Sequence, residues 1–463
     1  MKTCRHKALK GRQDHRQGCK LLQRMAATLA PKGRQSVLPH WLLTALSFII
    51  LNLSFSPAGA QYVATVVDVN THSVLPFASV YVSKDMSTIT NLEGTFAINC
   101  APDDVLRISY VGYKTALIKA EQLGNTVTLE PQETILSEVL VIPIQPLIDK
   151  ICKETLRMSR KYKTKKNEFF YRQTAFSDST CYEFAEAFLS GGSAVSLHNL
   201  ELLSGRYAGL QPDSANAYSF FGNFYTFSAL EVASNYENPT PIDDVVPLFR
   251  NFDKFYDVTY EVTSEDGNRI FVLHFEPKPE VRDKYAILAA TLYVDEKTYH
   301  LRRIVGKGIN FRVVTMFEKK FTFVGVPFAR TERSTHNTEF SYVIDLSDER
   351  GFPEVQSAFV EAVYKLYDKT VTTRSLLYNL STEEEKKKNK RSFFSRIADI
   401  FSEQYTQHKG EELKFGSVLH QTIDMQGYDP EFWNKNEIVL RTPIEEEVMR
   451  LFESQNLFGV MSP

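Results

Sequence analysis

The chain is poor in cysteine and tryptophan, with five and two in 463 residues, and it is close to neutral, with a formal net charge of −2. Thiols this sparse, with no C-x-x-C spacing, exclude a disulfide scaffold, a zinc ribbon and a thioredoxin-type redox site. The 21 Gly and 19 Pro are too few for a collagenous or low-complexity chain. Near-neutrality argues against a nucleic-acid partner. A single long apolar run is present, Trp41 to Phe55, and it is shorter than the roughly 20 residues that span a bilayer. The sequence also lacks a G-x-S-x-G nucleophile elbow, a P-loop and a G-x-G-x-x-G.

What is present starts with a charge asymmetry. The first 60 residues carry ten Lys or Arg and one acid. Lys32 and Arg34 precede the apolar run, and Ala58-Gly59-Ala60 follows it. A basic segment, a short apolar segment and a small-x-small end make a secretory signal peptide. Residues 1–60 therefore read as a leader cut after Ala60, with an uncleaved membrane anchor as the alternative. Met25 offers a second start that gives a more compact leader. Cys100, Cys152 and Cys181 remain after cleavage, enough for one disulfide at most.

Residues 61–141 alternate apolar and polar positions and are rich in β-branched residues. YVATVVDV, ASVYVS, GTFAIN, VLRISYV, TVTLE and EVLVI each read as a strand, with no helical period between them. That pattern predicts a small antiparallel β-sandwich. Asn91, Glu93 and Gly94 read as a turn that sends Phe96 into the core, and Gly112 as a second turn. Four motifs stand in order here. They are Leu75-Pro76-Phe77-Ala78-Ser79-Val80, Thr90 to Phe96, Ile108 to Tyr113, and Leu136-Ser137-Glu138-Val139. In this the segment resembles the carboxypeptidase-regulatory-like domain, a transthyretin-like sandwich of exported Bacteroidetes proteins. The resemblance implies a binding or spacer module and carries no peptidase activity with it.

Residues 142–463 read as a larger α+β domain. Pro143 and Pro146 mark a linker, and apolar residues at 147, 148, 151, 152 and 156 predict a helix. Residues 250–345 read as a strand meander, with hairpins at Glu265-Asp266-Gly267-Asn268 and at Asp295-Glu296-Lys297-Thr298. The fold class expected is therefore mainly β with α+β: a sandwich, then a curved antiparallel sheet with flanking helices. Pro443 to Phe458 predicts a closing helix with Glu445, Glu446 and Glu447 in its first turn. Phe169-Phe170-Tyr171-Arg172, Leu203 to Arg206, Leu292 to Asp295 and Asp429-Pro430-Glu431-Phe432-Trp433 resemble landmarks of a domain of unassigned function in exported Bacteroidetes proteins.

Candidate chemistry is thin. His198 and Glu201 form an H-x-x-E, the ligand spacing of zinc carboxypeptidases, with His300 or His336 as a distant third ligand. About one such spacing is expected by chance, and the plain reading is a surface pair. Cys181, at a strand start, reads as a packed thiol. Asp243-Asp244, and Asp345 with Asp348 and Glu349, read as loop acids whose spacing fits no EF-hand. The aromatic run from Tyr218 to Phe227 reads as core, with a sugar- or lipid-contacting loop as the alternative. Residues 382–391 read as a solvated charged helix, and Phe393 to Phe401 as its apolar face, docked on the core or resting on an anionic membrane.

These readings assign no catalytic residue, metal or cofactor. They describe an exported, non-enzymatic protein of the periplasm or outer membrane whose partner is an envelope protein, a glycan or a lipid. A lipid or acyl-chain carrier using the sheet at 250–345 is the alternative. A zinc hydrolase is disfavoured.

Overall fold

The computed structural model describes residues 60–83, 86–132, 143–162, 167–193, 196–209, 217–218, 248, 251–265, 267–323, 326–348, 352–366, 368–380, 411–412, 423, 433, 438–455 and 457–458. All the described residues belong to one compact unit, Gly59–Pro463.

Seven strands build the sandwich: β1 (Ala60–Asp68), β2 (Ser79–Ser83), β3 (Met86–Ile89), β4 (Thr95–Cys100), β5 (Val105–Ser109), β6 (Ala116–Lys119) and β7 (Thr126–Leu129). They form a three-stranded sheet, β4-β1-β7, and a four-stranded sheet, β3-β2-β5-β6. One pairing departs from the antiparallel expectation, since β1 and β7 run parallel. The expected strand EVLVI lies outside the described residues. Alternation along each strand sends Val66, Val80, Phe96, Leu106, Ile108 and Val127 into a shared core. The Asn91 turn forms as its residues dictate. The Asn91 side-chain oxygen accepts from the N–H groups of Glu93 and Thr95. Gly94 takes a positive φ of 72°, and a Cβ there would stand 2.9 Å from the Val66 carbonyl oxygen.

Helix α1 (Ile144–Lys161) follows, and the second sheet then begins with β8 (Asn167–Ser177), β9 (Thr180–Ser193), β10 (Ser196–Gly209) and the short β11 (Ala217–Tyr218). It continues through β12 (Tyr256–Glu265), β13 (Asn268–Pro277), a short helix α2 (Pro279–Arg282), β14 (Ile287–Asp295), β15 (Leu301–Ile309), β16 (Arg312–Phe323) and β17 (Val326–Ser347). Then come β18 (Glu354–Leu366), β19 (Lys369–Asn379), the short β20 (Glu411–Glu412) and helix α3 (Pro443–Ser454). Thirteen of these strands make one curved sheet, ordered β12-β13-β14-β15-β17-β18-β19-β8-β9-β10-β20, with β16 on β17 and β11 on β16. The expected meander is only one flank of it. The centre is the antiparallel pair β19–β8, in register at Thr373 with Ala175, which joins segments about 200 residues apart.

The two faces of this sheet have different covers. On the inner face α1 contributes Leu147, Ile148, Ile151 and Cys152 to a core with Tyr171, Leu202, Phe271, Leu273, Leu292, Ile304 and Tyr342. On the outer face the sandwich and the C-terminal segment are seated. Phe77 and Ile89 of the sandwich pack with Phe170, Phe188, Leu376, Tyr378, Trp433 and Val439. Further along, α3 buries Val448, Met449 and Phe452 against Phe176, Phe184 and Ala208. Thr442 and Glu445 close a capping box at the start of α3. Glu445, one of the three acids of that first turn, is thus a buried cap.

Candidate functional site

Strand β8 explains how charge comes to be buried here. Its residues Phe169 to Phe176 are buried at every position, because both sheet faces are covered. Phe169 and Tyr171 face α1, while Phe170 and Arg172 face the sandwich and the C-terminal segment. Direct cross-strand pairing then sets Arg172, Glu186 and Arg206 in one row on β8, β9 and β10.

Glu186 sits at the centre of that row. It accepts from Arg172 Nε at 2.7 Å and from Arg206 Nε at 2.9 Å, and Arg441 Nε stands 3.7 Å away. Burial opposes its ionisation, but the guanidiniums of Arg206, Arg172 and Arg441 outweigh that and hold its carboxyl down at about 2. Arg172 also donates to the Val439 carbonyl at 2.7 Å and faces Glu445 at 3.5 Å. Arg206 lies over the ring of Trp433, 4.8 Å from its centroid, and Trp433 stacks on Phe188 at 5.2 Å. The network therefore clamps the C-terminal segment to the sheet centre.

A second polar node ties the sandwich to the same face. Arg303 on β15 donates to the Tyr110 hydroxyl at 2.6 Å, with its guanidinium 4.1 Å from the Tyr110 ring centroid. Asp345 on β17 lies 3.5 Å from Arg303 Nε, and burial pushes its carboxyl up. Phe77 meets Phe359 at 4.7 Å, Ser87 Oγ lies 3.2 Å from the Tyr378 hydroxyl, and Thr88 donates to the Ile438 carbonyl. A crevice along this seam is lined by Phe77, Leu92, Arg172, Thr174, Arg374 and Glu445 and encloses about 20 Å³. That is room for about one water molecule and too little for an acyl chain or a sugar ring.

On the inner face Glu183 is fully buried, and Gln173 donates to it at 2.8 Å. Burial pushes its carboxyl up to about 7. The acid is thus neutral in the fold from the unfolded value of 4.5 up to about 7, where the unfolded chain has already lost the proton. Stability therefore falls as pH rises across that window and levels off above it, by about 3 kcal/mol in all. Glu183→Gln is expected to abolish that slope and to stabilise the chain at pH 8, read by urea unfolding at pH 5, 7 and 8.

The sequence candidates are scattered. His198 and Glu201 lie on β10, a strand and not a helix, so three residues of spacing place them on the order of 10 Å apart along it. His336 lies on β17 opposite Val313. His300 is engaged elsewhere, with Glu154 of α1 at 3.3 Å and Asp348 at 3.8 Å. That imidazole, with Arg302 beside it, holds the Asp348 carboxyl at about 2. Among the described residues no three His, Cys, Asp or Glu converge to hold a metal. Asp345 is a half-buried partner of Arg303 on β17 and not a loop acid. Cys181 is buried at the start of β9, and burial pushes its thiol up to about 12, which suits a packed and unreactive sulfur. Glu349, Asp243-Asp244, the aromatic run beyond Tyr218, residues 382–391 and residues 393–401 lie outside the described residues.

The residues that organise the fold, Arg172, Glu186, Arg206, Arg303 and Glu183, are not singled out as a site by the sequence. A signal was present all the same. Arg172 stands in FFYRQ and both glutamates in CYEFAEAF, charges set inside apolar strands.

No curated protein matches the chain. Among solved structures it is similar to MucB in complex with MucA(peri), at 10% identity over 50% of this chain and 93% of that one, with a TM-score of 0.15. The MucA/MucB complex of Pseudomonas aeruginosa is similar at 9% identity over 50% of this chain and 94% of that one, with a TM-score of 0.16. A protein of unknown function from Bacteroides fragilis, described as membrane-associated, is similar at 9% identity over 70% of this chain and 99% of that one, with a TM-score of 0.13. These likenesses are too loose to carry a function. The family match is of another kind, because it falls on the seven-stranded sandwich just described. Residues 64–141 match the CarboxypepD_reg-like domain family, and the N-terminal sandwich of this chain is a CarboxypepD_reg-like domain.

Proposed function

We propose that the chain is an exported envelope protein that works as a non-catalytic interaction module. Its layout is a leader over 1–60, the CarboxypepD_reg-like sandwich over 61–141 and a sheet domain over 142–463. The observation that carries this reading is how the buried charges of the described residues are used. Arg172, Glu186, Arg206 and Arg441 join the C-terminal segment to the sheet, and Arg303 and Asp345 join the sandwich to it. Charges spent on holding layers together build a rigid platform. The basic, apolar, small-residue order of residues 32–60 supports export. The inner face of the sheet, filled by α1 and the core around Phe271 and Leu292, weighs against an acyl-chain carrier.

Fractionation of cells expressing the full chain, with mass spectrometry of its N-terminus, tests the reading. The expected result is a chain beginning at Gln61 in the envelope fraction. An intact leader in the cytosol overturns it.

A further inference from the structure

The crevice on the seam holds polar groups that the fold leaves unused. Asn91 and Thr174 both line it, 4% and 2% exposed. The Asn91 side-chain oxygen is spent on its turn, accepting from Glu93 and Thr95, while its Nδ2 donors have no partner among the described residues. The Thr174 hydroxyl has none either. Unpaired polar groups this deeply buried cost stability and call for an explanation. Directly across the strand pair from Thr174 stands Arg374, whose side chain is 38% exposed and so lies at the open side of the crevice. Its Nε donates to Glu361 at 2.7 Å, and among the described residues its two Nη groups have no hydrogen-bond partner. Phe77, held at a φ of 63° that aromatic residues rarely adopt, forms the opposite wall against Phe359.

The unused groups are all donors: an amide NH2, a hydroxyl and a guanidinium fork. What they lack is an acceptor oxygen. The crevice encloses about 20 Å³, so one oxygen enters and the rest of a ligand stands at the mouth beside Arg374. Charge narrows the choice. Arg172 is already gripped by Glu186, which leaves Arg374 as the cation on offer. Glu445 in the lining and Glu361 on Arg374 oppose a dianion. We propose that the crevice binds a carboxylate, one oxygen held by Asn91 Nδ2 and the Thr174 hydroxyl and the other by the Arg374 fork. The carboxylate belongs to a free short-chain acid or to the end of a protein chain. The proposal goes beyond the interaction-module reading and does not depend on export, so either can fail alone.

The full chain is titrated calorimetrically at low salt with sodium acetate, with sodium sulfate, and with two N-acetylated Gly-Ser pentapeptides, one ending in a free carboxylate and one amidated. Acetate is expected to bind with a dissociation constant on the order of 1 mM, and sulfate about tenfold more weakly. Thr174→Val keeps the side-chain shape, and Asn91→Asp keeps the acceptor of the turn while removing the donor. Each should weaken acetate binding about fivefold or more. Thr174→Val should also leave the urea midpoint unchanged or raise it, because the hydroxyl it removes is unpaired. A free-carboxylate peptide that binds about tenfold tighter than acetate, and does not bind when amidated, assigns the carboxylate to a protein partner. Acetate that binds as tightly as the peptide assigns it to a free acid. No heat with acetate, which a crevice holding water alone would give, overturns the proposal. So does sulfate binding as tightly as acetate, an unchanged affinity in Thr174→Val, or a lowered urea midpoint in that variant.

Discussion

Replacing Glu186 with Ala is expected to destabilise the chain by about 4 kcal/mol, seen as a lower urea midpoint at unchanged slope. The size follows from what is left behind. Arg172 and Arg206 are nearly or wholly inaccessible to water, and Glu186 is the carboxylate that both of them grip. Without it their charges remain in a low-dielectric layer between the sheet and Trp433, where water cannot replace the lost acceptor. The loss comes from two buried guanidiniums left with only the more distant carboxylates of Glu445 and Glu453, so the effects of two substitutions should not add. Arg206→Met is expected to cost clearly less in a Glu186→Leu chain than on its own, by more than about 1 kcal/mol. Simple additivity within about 0.3 kcal/mol would show that the two side chains contribute separately.

Gly306→Ala should cost about 3 kcal/mol or more, although in an open strand the same change is mildly favourable. Gly306 lies directly opposite Tyr342 on the inner face, and a Cβ built there stands 2.0 Å from the Tyr342 ring atom Cζ. That ring is 1% exposed and packed in the main core, so it has no room to swing away. At the next inner position Gly308, opposite Phe340, lies under the ring of Phe311, 2.5 Å from where a Cβ would stand. Glycines under aromatic rings let β15 and β17 pack closely. In a Tyr342→Leu background the Gly306→Ala penalty should fall by at least half, read by thermal unfolding. An equal penalty in both backgrounds would place the strain elsewhere.

The sandwich was legible because one face of each strand is solvated or paired to a single core. Val66, Phe96, Leu106 and Ile108 therefore alternate cleanly with polar neighbours. The flank at β12 to β15 was legible from its β-branched and aromatic runs and from the Asp-Gly turn, where Gly267 takes a φ of 79°. The centre of the sheet was not. In β8 both faces are buried, so FFYRQTAF shows no period of two and reads as a run with a stray arginine. The β8–β19 pairing links positions such as Arg172 and Leu376, and no local pattern announces a contact that long. The site residues follow suit. The buried role of Glu186 depends on Arg206 one strand away and on Arg441 far along the chain, which a linear spacing rule cannot find. The H-x-x-E at His198, conspicuous in the sequence, lies on a strand, and His300 is engaged with Glu154 and Asp348.

The sandwich, the sheet and the C-terminal segment form one clamped body, and Trp433 reports on that seam. After residue 60 it is the sole tryptophan in the sequence, and it is buried between Phe188 and Arg206. Its fluorescence should be followed through a urea titration of the chain beginning at Gln61, beside far-ultraviolet circular dichroism of the strands. One coincident transition is expected for both signals. A fluorescence change complete at lower urea than the loss of strand signal would contradict it, since the seam would then open while the sheet stands.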